Sequence, residues 1–377
     1  MNWKIPLFKI YWENDDIDSV SAVIKRGSYW TTGPENRQLE EKIAEYIGTK
    51  YALTFNSGTS ALHADLLAHD VQGKEIIAPS FTFISTANSV ILANAKPVFA
   101  EIEDTSYGLD PEDVKEKITN KTKAILPVHY GGSPCKEIKA LQEIAEDHDL
   151  FLVEDAAESL GSKIDKRKVG TFGHSAIFSF CQNKIITAGE GGLVVTDSKQ
   201  VFEKLKLIRS HGRLENKNDY FSTTDEFDYI QLGYNFRMPS INTAIVISQF
   251  KKINRIIKMR REKAKYYNKK LSKIKTIKTP SCPKTHYHVY QMYTIQLDDE
   301  ISRVQLQKKL TKAGIMTKVY FNPIHLTTFY KERYNYGKGD LPITEQISKK
   351  VLTLPLYPTL TVEEMEYIVS EIKNCCE

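Results

Sequence analysis

Over its first half the chain alternates short continuous apolar runs with stretches of helical period. The runs at 51–55, 75–79, 97–100, 122–128 and 150–153 read as strands, and 15–25, 36–47, 61–68, 111–118 and 138–147 as helices. Another helix follows the stretch 80–88 and runs through Leu92. Asp110-Pro111 marks one helix start, a capping carboxylate followed by a proline whose missing N–H is not needed at the first helical position. Two more apolar runs, 176–180 and 193–196, read as strands, and 201–209 as a helix. Alternation of this kind predicts an α/β protein, a mostly parallel sheet with helices on both faces.

The second half is patterned differently. Residues 214–229 are polar and irregular and read as a mobile loop. The stretch 241–271 predicts one long helix, rich in lysine and arginine past Phe250, linking a large domain at 1–250 to a smaller one at 251–377. Beyond it, 288–297 alternates as a half-buried strand does, and 303–313 reads as a helix stopped by Gly314. Residues 347–352, 355–358 and 362–373 close the chain as helix, turn and helix.

Composition narrows the function classes. With 377 residues, 41% hydrophobic and 26% charged, the chain buries a large core. A formal charge of only +5, with the lysines spread along the chain, argues against nucleic-acid or membrane partners. The five cysteines show no C-x-x-C spacing, so free thiols in a reducing compartment are expected. With no apolar signal core at the amino terminus and no run of about 18 apolar residues, a cytoplasmic location is expected. Neither a P-loop nor a G-x-G-x-x-G fingerprint is present. His286 and His288 stand without further metal-ligand spacing, so no metal is assigned.

Candidate chemistry centres on Lys184, between the strand 176–180 and the turn Gly189-Glu190-Gly191-Gly192. Partial burial lowers a lysine's pKa and lets the amine attack a carbonyl to form a Schiff base. The plainer alternative is a solvated lysine on a hairpin loop beside an edge strand. Asp155 follows the strand 150–153, where open α/β sheets bind ligands; alternatively it caps a following helix. Chemistry joins the two residues: if Lys184 holds pyridoxal phosphate, an acid group facing the ring nitrogen keeps that nitrogen protonated. The turn Asn56-Ser57-Gly58-Thr59-Ser60 enters a helix and offers free backbone N–H groups to an anion at Gly58 and Thr59, or serves only as a cap.

The segments Glu154-Asp155-Ala156-Ala157-Glu158, Ser179-Phe180-Cys181-Gln182-Asn183-Lys184 and Gly189-Glu190-Gly191-Gly192 resemble the pyridoxal-phosphate-dependent sugar aminotransferases of the DegT/DnrJ family. Similar motifs recur in the family's order from Trp30 to His325. The resemblance implies a fold-type I aminotransferase, with a large domain on a mostly parallel sheet and a smaller carboxyl-terminal α+β domain. It implies Lys184 as catalytic residue and cofactor anchor, with pyridoxamine phosphate as the amine-carrying form. It further implies Asp155 at the ring nitrogen, Glu158 at the ring hydroxyl, Phe83 against the ring, and Gly58, Thr59 and Ser179 at the phosphate. Asn235 would reach the cofactor phosphate of a neighbouring subunit, making a homodimer with shared sites. Trp30, Thr31, Arg237 and His325 would meet substrate.

The substrates implied are an amino-acid donor, L-glutamate, and a nucleotide-linked ketosugar. The run Thr187-Ala188-Gly189-Glu190-Gly191-Gly192 is most like that of the 4-ketosugar enzymes that make perosamine-type sugars. A 3-ketosugar aminotransferase and a non-catalytic cofactor- or nucleotide-binding regulator are the alternatives. A sister branch of sugar dehydratases lacks the Schiff-base lysine, which is present here. Cys181 and Gln182 depart from the commonest neighbours of the family's lysine.

Overall fold

The structure, a computed structural model, describes residues 3–214, 223–224 and 226–376. A sheet of seven strands organises the large part of the chain. In chain order the strands are β1 Tyr51–Phe55, β2 Glu75–Pro79, β3 Lys96–Ala100, β4 Thr122–Ile125, β5 Phe151–Asp155, β6 Ser175–Ser179 and β7 Gly192–Thr196. Their spatial order is β1-β7-β6-β5-β4-β2-β3. Neighbours pair in parallel except for β7, which runs antiparallel to both β1 and β6. The carboxyl ends of the six parallel strands therefore share one edge of the sheet, and β7 begins at that edge.

Burial explains why these runs became strands. Every residue of β6 and β7 is buried, as expected for strands covered by helices on both faces. Alternate side chains feed opposite cores. Ala176, Phe178, Leu193 and Val195 pack against α2 (Pro34–Ile47) through Leu39 and Ile43, and against α8 (Ser240–Lys251) through Val246. Ile177 and Val194 face α3 (Gly58–Ala68) and α7 (Lys199–Arg209), among Leu62, Leu66, Leu205 and Ile208. The period of two along each strand thus divides one apolar run between two helical layers.

A second sheet joins Ile277–Lys278 (β8), Tyr293–Leu297 (β9) and Val351–Leu354 (β10) in the order β8-β9-β10, all antiparallel. Its core gathers Tyr293, Ile295, Leu352 and Leu354 with Tyr267 and Leu271 of α9 (Ile253–Leu271) and Ile368 and Ile372 of the last helix, Val362–Cys376. Ile5, near the amino terminus, joins this core. Among the described residues no helix is long and apolar enough to cross a membrane.

Three expectations are corrected. The stretch 241–271 is two helices, α8 and α9, separated at Lys252, whose φ of −102° and ψ of 0° stay in the right-handed region but depart from regular helix values; the Lys252 ammonium turns inward to Asp15 and Asp16. Residues 347–352 straddle the end of the helix Pro342–Lys350 and the start of β10, a short fully buried run whose apolar pattern does not distinguish strand from helix. The strand expected at 288–297 is confined to Tyr293–Leu297. The loop expected at 214–229 falls largely outside the described residues.

A buried polar cluster ties α3 to the start of β6. Ser175 Oγ donates to Asp65 Oδ2 at 2.7 Å and lies 2.9 Å from His69 Nε2. Burial pushes the Asp65 carboxyl up to about 7 and His69 down to about 3. A carboxyl raised on folding contributes stability that is full below its unfolded value and lost as pH rises through the folded one. Asp65→Asn is therefore expected to gain stability relative to the natural chain as pH rises from about 4 to about 7. Urea titrations across that range check this.

Candidate active site

The sheet edge where the six parallel strands end carries the chemistry. Asp155 is the last residue of β5 and is buried. No helix follows it: residues 156–162 form turns, so capping is not its role. Its Oδ2 accepts a hydrogen bond from Thr86 Oγ1 at 2.8 Å, and its Oδ1 accepts from the Ala157 N–H at 3.2 Å. Thr86 in turn lies 2.9 Å from Thr82 Oγ1, which completes a short hydroxyl chain to the carboxylate. Desolvation holds the Asp155 carboxyl above the ordinary carboxylate range, against the pull of Thr86, Ala157 and Lys184.

Lys184 meets Glu158 beside it. The ammonium donates to Glu158 Oε1 at 3.2 Å, with side chains only 14% and 9% exposed. Glu158 Oε2 accepts from the Gly131 N–H at 2.8 Å, so both of its oxygens are engaged. The lysine lies on the turn between β6 and β7, which are interior strands rather than an edge pair. Within that turn Ala188 N–H and Thr187 Oγ1 both donate to Phe180 O at 3.0 Å. Asn242 Nδ2 donates to Ala188 O and Glu190 O at 3.0 and 3.1 Å, which fixes the glycine turn from α8.

The turn at the start of α3 lies at the same sheet edge, directly after β1. Ser57 caps α3 through Ser60 N–H at 3.0 Å, and the Gly58 and Thr59 N–H groups find no acceptor among the described residues. In the sheet register Ser179 and Phe55 both oppose Gly192. A Cβ on Gly58 would lie 3.0 Å from Ser179 Cβ, and one on Gly192 would lie 2.3 Å from Ser57 O. Only hydrogen fits at these positions, so bare backbone N–H groups and the Ser179 hydroxyl line the same hollow. An anion there also meets the positive end of the α3 dipole.

Gly192→Ala is expected to displace the Ser57-Gly58 backbone and weaken binding of a phosphate-bearing cofactor. Losing one or two such N–H contacts is worth about 1–2 kcal/mol, or roughly tenfold or more in affinity. Equilibrium dialysis with pyridoxal phosphate measures it.

The remaining sequence candidates fall into distinct settings. Phe83 precedes α4 (Ile84–Leu92), is 57% exposed, and faces Phe321 with ring centroids 6.2 Å apart. Trp30 is 47% exposed, with its indole N–H bonded to Val23 O at 3.1 Å. Neither Trp30 nor Thr31 hydrogen-bonds to Lys184, Glu158 or Asp155. Asn235 is exposed and lies beside the anion hollow, its carbonyl 3.4 Å from Asn56 Nδ2. Arg237 is half-buried on the same segment. His325 is fully buried, with Nδ1 2.7 Å from Ser80 Oγ and Nε2 3.3 Å from Glu345 Oε1. With both ring nitrogens occupied inside the protein, it anchors Ser80 and the segment leading to Phe83 and Thr86.

Sequence reasoning passed over Thr86 and Gly131. The hydroxyl of one and the N–H of the other complete the two carboxylates, and their separation along the chain from Asp155 and Glu158 left no local signal.

A model of the DegT/DnrJ/EryC1/StrS aminotransferase family matches residues 11–373. The chain belongs to this family. It is 36% identical to an uncharacterized protein of Methanocaldococcus jannaschii, covering 98% of this chain and 97% of that one. It is 30% identical to the spore coat polysaccharide biosynthesis protein SpsC of Bacillus subtilis, over 96% and 94% of the two chains. Among solved structures, Helicobacter pylori PseC, an aminotransferase involved in the biosynthesis of pseudoaminic acid, superposes with a TM-score of 0.90 at 29% identity, over 100% and 99% of the chains. DesV of S. venezuelae gives 0.90 at 28% identity, over 99% and 98%.

The protein is thus a pyridoxal-phosphate-dependent sugar aminotransferase, and its residues fit that cofactor. Burial disfavours the charged form of the Asp155 carboxyl, and a protonated ring nitrogen facing it would supply the cation that offsets this cost. The hollow at Gly58 and Thr59 suits a phosphate, and the Lys184 amine suits an aldehyde.

Proposed function

We propose that the protein transfers an amino group from L-glutamate to a nucleotide-linked 4-keto-6-deoxyhexose, giving the 4-amino sugar. The observation that carries the aminotransfer is the Lys184–Glu158 pair at 3.2 Å beside buried Asp155. When bound, pyridoxal phosphate supplies an electron sink for the carbon that gains or loses its proton, and pyridoxamine phosphate is the form that carries the amine.

The chain's residues do the rest. Lys184 Nζ would hold the cofactor through its aldehyde carbon, and its free amine would move the proton at the nitrogen-bearing substrate carbon. Glu158 would hold the lysine's ammonium whenever the amine carries the proton, and would orient the ring hydroxyl. Asp155 would face the ring nitrogen, whose positive charge would favour the ionised carboxylate, with Thr86 keeping one of its oxygens in place. Gly58, Thr59 and Ser179 bind the phosphate, and Phe83 offers an open aromatic face to the ring.

Trp30, Thr31 and Arg237 lie on the segments 28–34 and 233–240, which Ser240 N–H joins by a hydrogen bond to Trp30 O at 2.8 Å. We read them as substrate contacts. The protein acts as a homodimer in which Asn235 reaches the phosphate held by the other subunit. Exposed apolar side chains near Asn235, above all Leu232 at 82%, favour a covering partner. Residues 1–250 carry the cofactor machinery, and 251–377 form a smaller domain.

The 4-keto preference rests on the resemblance of the run from Thr187 to Gly192. The sugar class is supported by the relatives in spore coat polysaccharide and pseudoaminic acid biosynthesis. Loaded enzyme is to be given L-glutamate with matched nucleotide-linked 4-keto and 3-keto 6-deoxysugars, and the position of nitrogen in the product read by NMR. Amine at carbon 4 supports the reading; amine at carbon 3 replaces it with the 3-ketosugar alternative.

A further inference from the structure

We infer that Gln291, braced by Arg260, is a positioning residue that holds the Lys184–Glu158 pair in register from the carboxyl-terminal part of the chain. This rests on Lys184 being the reacting amine. Gln291 is buried at 4% exposure, and its Nε2 donates to the carbonyl of Asn183, the residue before the lysine. The turn's other holds, at Phe180 and Asn242, come from the large sheet and α8.

The same segment reaches the other member of the pair. Met292 N–H donates to Gly131 O at 3.0 Å, and Val289 N–H donates to Gly132 O at 2.9 Å. Gly131 is the residue whose own N–H binds Glu158. Contact is so close that a Cβ on Gly132 would lie 2.6 Å from the main-chain nitrogen of Gln291. Residues 289–292 thus contact the backbone on both sides of the ion pair, one side through a side chain and the other through the main chain.

Arg260, from α9, keeps this segment in place. Its Nε donates to Tyr290 O at 2.8 Å, and its Nη2 donates to Gln291 O at 2.6 Å and Leu356 O at 3.2 Å. Among the described residues no carboxylate pairs with it, and burial lowers its pKa to about 10. A buried cation satisfied only by carbonyls tolerates little displacement of those carbonyls, because each lost contact leaves charge uncompensated. The guanidinium is therefore a rigid pin for the backbone that aims the Gln291 amide.

The consequence lies in proton transfer. The Lys184 amine would have to reach the carbon that gains or loses its proton in each half of the reaction, and a misplacement of about 1 Å costs on the order of 100-fold in rate. Removing the Gln291 amide leaves the lysine present and the cofactor bound but frees the turn before it.

Three proteins test this: the natural chain, Gln291→Leu, which keeps volume without the amide, and Gln291→His, which restores an N–H donor at similar reach. Amide hydrogen exchange over residues 181–187 is read in cofactor-free protein, and single-turnover rate with L-glutamate in loaded protein. Borohydride trapping maps the cofactor to its lysine. Gln291→Leu is expected to exchange faster in that segment alone and to turn over about 10- to 100-fold more slowly with KM little changed, and Gln291→His to recover both. If Gln291→Leu does not fold, Gln291→His carries the test: near-natural exchange and rate support the proposal, and a folded but slow Gln291→His overturns it. Unchanged exchange and rate in folded Gln291→Leu, with the natural chain trapped at Lys184, overturn the proposal alone. Failure to trap the natural chain at Lys184 removes the functional reading and the proposal together.

Discussion

Lys184→Arg is expected to abolish aminotransfer while leaving the fold intact. The guanidinium preserves the charge that pairs with Glu158 but does not deprotonate in the working range and does not attack an aldehyde. Removing a covalent catalytic group costs on the order of 10⁵- to 10⁶-fold in kcat, far beyond what altered packing at a site 14% exposed would produce. Lys184→Ala is expected to lose as much activity and some stability besides, because it leaves the largely buried Glu158 carboxylate without its cation. The difference between the two variants separates chemistry from folding. Steady-state turnover and thermal unfolding, measured on both, check it.

The second large effect belongs to Asp155, and it has opposite signs with and without cofactor. Desolvation holds this carboxyl above its ordinary value. Its contribution to stability is therefore full below the unfolded carboxylate value and lost as pH rises through the folded one. In cofactor-free protein at neutral pH, Asp155→Asn is expected to leave stability unchanged or raise it, with any gain disappearing under acid conditions. With cofactor bound, the same change removes the anion opposite the ring nitrogen. Breaking a buried charge pair costs ~3–5 kcal/mol, roughly two to four orders of magnitude in turnover. Unfolding of the cofactor-free protein and kcat of the loaded protein give the two readings. A variant that destabilises the empty protein and leaves the loaded enzyme active would assign Asp155 a structural role.

How much of this was legible in the sequence depended on how local each interaction is. The seven-stranded sheet was readable because its strands are buried on both faces, so β6 and β7 stand out as unbroken apolar runs. Asp155 and Lys184 were readable because each follows such a run, at the edge where α/β sheets bind ligands. The resemblance then supplied the roles. Long-range contacts were not readable. Thr86 supports Asp155 across 69 positions, and Gln291 reaches Asn183 across 108; no window of sequence contains either pair. The break at Lys252 was hidden for a related reason, since no local helix breaker marks it and the partners of its side chain, Asp15 and Asp16, lie near the amino terminus. His325 shows the limit of motif transfer, because its position near the site was expected but its two occupied ring nitrogens came only with Ser80 and Glu345 in place.

The central claim is that Lys184 and Asp155 make this chain a working aminotransferase. Its most direct test is the visible absorption spectrum of protein reconstituted with pyridoxal phosphate, recorded before and after L-glutamate is added, with Lys184→Ala as control. The natural protein is expected to show a band from lysine-bound cofactor that gives way to the band of pyridoxamine phosphate on adding glutamate, and the control to show no lysine-bound band. Absence of a lysine-bound band from the natural protein would contradict it.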